Sequence, residues 1–238
     1  MKRGGLVPPF FHLYFSNLLN STSGSLKIHF YQLLEHLASF MWVIPLTIGL
    51  ARRKYFNTGE KILFGFVLAS ALFDVIGFAL QRQDINNMFL FHIYIFVEFT
   101  LISLFYVKVI SNPRLTPFII GALFPFLVMA VYEFITSRNG LDVICTTTES
   151  IVLMLYAILG FSSLLKNPVQ SRVVAIPLFW FNTAVLLYFA GNLFLFVFGN
   201  YIQSHYQHQF NGLWRIHSVM SILFYLLIGT GFWKTKAR

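Results

Sequence analysis

Glu98 stands in the run Phe96-Val97-Glu98-Phe99, with no other charge within a helical turn on either side, and Asp74 stands in Leu72-Phe73-Asp74-Val75 in the same way. Placing a carboxylate mid-membrane costs about +2.5–3.5 kcal/mol on insertion scales. Such a group must face the protein interior, carry a proton, or pair with a cation or hydrogen-bond donor. Glu35, Glu133 and Glu149 also fall inside apolar stretches, whereas Glu60, Asp84 and Asp142 read as loop residues. Tyr94 lies one turn before Glu98 on the same helical face, and Tyr188 and Asn192 share a face at i,i+4. Trp214, His217, Ser218 and Ser221 form one stripe, with Arg215 beside it. These residue types inside apolar segments predict a polar pocket within a membrane. Its candidate ligand-binding residues are Asp74, His92, Tyr94, Glu98, Glu149, Tyr188, Asn192, His217 and Ser218. The same groups also suit hydrogen bonding between helices, the plainer role for Asn182, Asn192 and Ser218.

Four chemistries fit side chains of this kind. Metal binding would use His205, His208 and His217, but the first two lie in the loop stretch His205-Tyr206-Gln207-His208 and no His-x-x-x-His pair falls on a span. No metal and no cofactor is expected. The single cysteine, Cys145, excludes an internal disulfide and a cysteine-based zinc site. Nucleophilic catalysis finds no elbow, phosphate loop or zinc-protease motif, and His217 and Ser218 are sequence neighbours that point about 100° apart on a helix. Proton-coupled transport uses intramembrane acids such as Glu98 and Asp74, but the internal repeat common in transporter folds is absent from the sequence. Sensing fits best: a polar pocket opening outward, a basic cytoplasmic face, and a signal handed to a separate cytoplasmic partner, because Lys234 to Arg238 carries no output module.

The elements that must position these residues are membrane spans. A helix needs roughly 20 mostly apolar residues to cross the hydrocarbon core. Seven stretches satisfy this, near 33–51, 62–80, 88–107, 116–136, 146–165, 173–200 and 212–233. The 238 residues are 57% hydrophobic and 11% charged, against about 25% charged in soluble domains; the mean hydropathy is +0.71. The class is therefore all-α, a polytopic membrane protein with a bundle of seven transmembrane helices. Residues 26–238 form a single domain after a tail, 1–25, that reads as an interfacial segment, a poor signal sequence or an over-extended start. Asn20-Ser21-Thr22 in that tail matches a short glycosylation acceptor. Pro45 and Pro125 should kink spans 1 and 4, Pro117 suits a first helical turn, and span 6 is long enough to tilt or to bend near Gly191-Asn192.

The net charge of +9 sits mainly in loops, so membrane lipids rather than nucleic acid are the expected partners. Of the 17 Lys and Arg residues, 11 fall on one side: Arg52, Arg53, Lys54, Lys61, Lys108, Arg114, Lys166, Arg172, Lys234, Lys236 and Arg238. That side is expected to be cytoplasmic. The N-terminus is then outside and the C-terminus cytoplasmic, in a multi-pass cell-membrane protein of the bacterial inner-membrane kind. In this orientation the intramembrane acids and all seven histidines fall in the outer half or beyond it.

Several stretches resemble an uncharacterised family of bacterial seven-helix membrane proteins. They are Phe91-His92-Ile93-Tyr94 with Glu98, Thr148-Glu149-Ser150, Phe179-Trp180-Phe181-Asn182 through Gly191-Asn192-Leu193-Phe194, and Trp214 with His217-Ser218 ending in Gly231-Phe232-Trp233. The resemblance spans roughly 26–233 and implies a sensory role linked to two-component signalling. A fainter likeness, through Leu72-Phe73-Asp74-Val75, is to integral membrane lysoplasmalogenases and implies lipid hydrolysis. The second intramembrane Asp of that pattern is missing here, with Asn192 nearest to its place, and the span count differs.

Overall fold

The computed structural model describes residues 25–83, 85–110, 112–136, 143–166, 173–205 and 207–236, with side chains left out at 25–32, 143, 166, 196, 198–205 and 207–214. The tail before Ser25, Asp84, Asp142 and the side chains of His29, His205, His208 and Trp214 lie outside the described residues. Among those described, the regular structure is entirely helical. The helices are α1 (Ser25–Phe40), α2 (Val43–Arg52), α3 (Thr58–Gln81), α4 (Met88–Ile110), α5 (Thr116–Gly121), α6 (Leu123–Thr136), α7 (Val143–Lys166), α8 (Pro177–His205) and α9 (Gln207–Lys234). They make seven segments long and apolar enough to cross a membrane: Leu33–Tyr55, Thr58–Gln81, Met88–Ile110, Thr116–Thr136, Ile144–Leu165, Pro177–Leu195 and Arg215–Lys234.

Two of these segments are broken rather than merely kinked, and for one physical reason. Proline lacks an N–H and its ring clashes with the carbonyl four residues back. Four residues before Pro45 is Met41, where α1 gives way to a two-residue turn before α2. Four residues before Pro125 is Gly121, where α5 ends before α6. Pro117 sits in the first turn of α5, where a missing N–H costs nothing. Helix α8, in contrast, runs unbroken through Gly191-Asn192 for 29 residues. At 1.5 Å per residue that is about 43 Å, longer than the ~30 Å hydrocarbon core. Gly191 is there for approach rather than bending: a Cβ at this position would lie 2.7 Å from the Met220 sulfur on α9.

Consecutive spans pack side by side, and the last returns to the first through α2 and α9. The α4 helix lies deepest, contacting α3, α5, α6 and α7. Its buried face carries Phe91, Tyr94, Ile95, Glu98, Ile102 and Phe105, and its exposed face is apolar, as at Ile93. Large apolar side chains on the outside, such as Phe118 at 76% and Phe124 at 73% exposure, suit hydrocarbon. Between helices, aromatic rings do much of the filling. Phe99 stacks on Phe126 at 3.9 Å, and Phe232 meets Phe56 at 4.9 Å and Phe181 at 5.3 Å.

The bundle has two chemically different ends. At the basic end, Asn57 and Glu60 cap α3 reciprocally: the Asn57 Oδ1 accepts from the Glu60 N–H, and the Glu60 Oε2 from the Asn57 N–H, both at 2.8 Å. Glu60 is thus a buried residue in the first turn of α3, not a loop acid. Its Oε1 accepts from the Thr235 hydroxyl at 3.2 Å, and Arg52 donates to the Thr235 carbonyl at 3.3 Å while lying over the Trp233 ring. At the opposite end Glu133 of α6 accepts from the Ile144 and Cys145 N–H groups at 3.0 and 2.8 Å, supplying the N-terminal cap of α7. The same end brings Arg215 of α9 into electrostatic range of Glu35 of α1.

Candidate functional site

Ten polar side chains from five helices converge in the half of the bundle away from the basic end. Helix α3 contributes Ser70 and Asp74, one turn apart, and α4 contributes Tyr94 and Glu98, also one turn apart. Helix α7 adds Glu149, α8 adds Tyr188 and Asn192, and α9 adds His217, Ser221 and Tyr225 at successive i,i+4 positions. The 3.6-residue period holds each pair or triplet on one face of its helix, so register between helices completes the cluster. All are buried except Asp74, which is half-buried at the edge of α3.

Two hydrogen-bonded chains organise the cluster. In the first, the Ser70 Oγ lies 3.0 Å from the Tyr94 hydroxyl, with Tyr225 close to Ser70 and Glu98 close to Tyr94. Each hydroxyl has one proton to give. Ser70 gives its proton to the Phe66 carbonyl at 3.0 Å, so its oxygen is the acceptor for the Tyr94 hydroxyl. Asp74 is in electrostatic range of both Glu98 and Tyr225.

In the second chain, the Asn192 Nδ2 donates to the Tyr188 carbonyl at 2.8 Å. That bond fixes the amide orientation, because the reverse would set two oxygens against each other. The Asn192 Oδ1 therefore faces the His217 Nδ1 at 2.7 Å, and the Nδ1 must carry the proton. The His217 Nε2 is left as acceptor for the Ser221 hydroxyl at 3.3 Å, and the Tyr188 hydroxyl lies close to Ser221. The Tyr188 ring lies 4.8 Å from Phe224 and 5.9 Å from His217. Tyr188 is also in electrostatic range of Glu98 and Glu149, which joins the two chains.

Of the residues singled out from sequence, Asp74, Tyr94, Glu98, Glu149, Tyr188, Asn192 and His217 come together. His92 does not: its ring packs edge-on to Phe134 of α6 at 5.7 Å, nearer the end of the bundle. Ser218 is buried beside His217 but about 100° round α9, and the serine that His217 engages is Ser221. Ser70 and Tyr225 escaped the sequence reading because a serine or tyrosine in a span carries no conspicuous signal. Their i,i+4 spacing to Asp74 and Ser221 is the trace that was available. Asn182 lies apart: it accepts from the Tyr106 hydroxyl at 3.1 Å and presses against Gly160.

No Lys or Arg among the described residues acts on Asp74 or Glu98. No group of three or more His, Cys, Asp or Glu among them is placed to hold a metal ion. The arrangement offers carboxyl oxygens, phenolic hydroxyls and aromatic faces in one buried cluster. That combination suits a cationic or hydrogen-bond-donating group. Comparisons with protein-family models, curated proteins and solved structures find no match to this chain, so both resemblances rest on the quoted residues alone.

Proposed function

We propose that this chain is a receptor-like integral membrane protein. It binds a small ligand or lipid headgroup in the Asp74–Glu98–Glu149 cluster and signals to a separate cytoplasmic partner. The N-terminus is outside, so the cluster opens outward, and the membrane is a cell membrane of the bacterial inner type. The observation that carries this reading is the convergence of five helices on carboxyl groups, with no Lys or Arg among the described residues acting on Asp74 or Glu98. A ligand bearing an ammonium group would supply that charge and meet the rings of Tyr94 and Tyr188. Asp74, the one half-buried member, marks the side of entry. A ligand shifts a conformational equilibrium only by its differential affinity for the two states. A site built from five helices meets that requirement when helix displacement alters its geometry.

The test uses purified full-length protein and its Glu98→Gln and His217→Ala variants, with choline and ethanolamine as probes. Thermal unfolding should shift upward for the wild type, by the amount that binding to the folded state dictates, and Glu98→Gln should lose the shift. If both variants fold well and still respond as the wild type does, the reading fails. If both fail to fold, the cluster is structural.

A second reading, a membrane-embedded lipid hydrolase, draws on one specific observation. Ser221, His217 and Asn192 have the order nucleophile, base and orienting amide, at 3.3 and 2.7 Å. Cleavage of lysophospholipids by the purified protein, abolished in Ser221→Ala, would replace the receptor reading.

A further inference from the structure

The first span is held to the rest of the bundle along only part of its length. On the basic-end side of the break at Met41, α2 packs on both α9 and α3: Ile44 and Pro45 close on Gly229, and Phe64 presses on Gly49. On the other side of the break, α1 packs on α9 and makes no extended contact with α3. The ten residues of α2 cover about 15 Å, whereas Asp74 stands about 24 Å along α3 from Thr58. Asp74 is therefore level with α1, beside a gap that the helices do not close. We propose that this gap admits a lipid from the side, and that its occupant is a long-chain amine with the ammonium group seated at Asp74. The proposal rests on the reading of the acid cluster as a ligand site and names the ligand's class and its route.

Exposure, charge and shape select that occupant. Asp74 is half-buried, and its neighbours Leu72, Val75 and Phe78 are exposed on a helix long and apolar enough to cross a membrane. The open side of Asp74 therefore faces hydrocarbon. Among the described residues Asp74 accepts no hydrogen bond and meets no cation; the groups in electrostatic range are Glu98 and Tyr225. A carboxylate left so costs about 2.5–3.5 kcal/mol on insertion scales, and an ammonium group beside it offsets that cost. A phospholipid is the poorer fit, because its phosphate would be set against Asp74 and Glu98, where no described Lys or Arg acts. A spanning helix of a partner protein, about 10–12 Å across, would run into α2 before it crossed the bilayer, since α2 bridges α9 and α3. A single alkyl chain meets no such obstacle. It leaves the gap sideways over the exposed Leu68, Leu72 and Val75 and stays in hydrocarbon throughout.

The experiment places full-length protein in neutral detergent micelles with hexadecylamine carrying a photoreactive diazirine in its chain, or with the matching hexadecanol, and maps the labelled peptides by mass spectrometry. The amine should label residues 33–40 of α1 and 68–78 of α3 well above the rest of the apolar belt, and the alcohol should not. Asp74→Asn should bring amine labelling there down to the level of the alcohol, and Asp74→Glu should restore it. If Asp74→Asn fails to fold, the comparison of amine with alcohol on the wild type decides. The proposal is overturned if amine and alcohol label alike, if the label spreads evenly around the belt, or if a folded Asp74→Asn keeps the enrichment. Displacement of the label by lysophosphatidylcholine as readily as by unlabelled hexadecylamine would overturn the amine class. A thermal shift with choline or ethanolamine that Glu98→Gln loses, without lateral labelling, would keep the cluster as a ligand site and overturn the lateral route. Labelling that depends on Asp74, with no response to choline or ethanolamine, would support the lipid site and remove the water-borne ligand.

Discussion

At the scale of single residues, an ionisable group is informative in proportion to how badly it fits its surroundings. Glu98 and Asp74 were legible because a carboxyl in an apolar run has few places to go, and both point toward protein. Glu133 was equally conspicuous, yet its two oxygens cap α7 at 3.0 and 2.8 Å, a local structural task that the ten residues between it and Ile144 conceal. Ser70 was illegible for the opposite reason. Its partner Tyr94 is 24 residues away, and only the packing of α3 on α4 brings the two hydroxyls to 3.0 Å. The His217–Asn192 bond is the most exposed to test, being short, buried and flanked by defined partners. A double-mutant cycle of His217→Phe and Asn192→Leu, read by thermal unfolding in detergent, should give a coupling near the ~0.6 kcal/mol average of membrane hydrogen bonds and no more than about 1.7 kcal/mol. A coupling of zero would mean that the two side chains do not sense each other.

At the scale of elements, length and apolarity located the spans to within a few residues, because the hydrocarbon thickness imposes one length on all of them. The start of the second span shifted from 62 to Thr58, because the capping pair Asn57 and Glu60 draws the polar first turn into the helix. The expected kinks at Pro45 and Pro125 became breaks four residues earlier, at the carbonyls that the proline rings exclude. Close packing was not legible, since a glycine's role depends on what lies across from it. Gly231 faces the Phe181 ring with no room for a Cβ, and Gly191 faces Met220. Gly231→Val should therefore lower stability by about 1–3 kcal/mol, the usual cost of overpacking. Gly65 and Gly121, with open space at the Cβ position, should accept alanine with much smaller loss on the same measurement. Removing the cap by Glu133→Ala should cost roughly 0.5–2 kcal/mol. Thermal unfolding of Glu133→Gln, which keeps an acceptor, would show how much of that belongs to the charge.

At the scale of the whole molecule, the polar groups divide between two ends: an acid–hydroxyl cluster toward one, and a basic surface at the other. Helices α3 and α9 run the length between them. Helix α3 carries Ser70 and Asp74 in the cluster and Glu60 at the basic end; α9 carries His217, Ser221 and Tyr225 in the cluster and leads to Thr235, which bonds Glu60. A displacement of α9 relative to α3 at the cluster is therefore resisted, or transmitted, through the Thr235–Glu60 bond and through Arg52, which holds the Thr235 carbonyl. Which end faces the cytoplasm determines whether that path leads inward. Lys and Arg retention on the cytoplasmic side predicts that the basic end is inside. Reporter fusions after Lys54 and after Arg238 should then read cytoplasmic, and a fusion after Arg82 should read external. The prediction is sharp because the three positions alternate along the chain, so no single mis-inserted helix reproduces the pattern. The reverse result would turn the acid cluster toward the cytoplasm, where an external ligand could not reach it. The receptor reading would fall with the orientation, while the gap beside Asp74 would remain, facing the opposite leaflet.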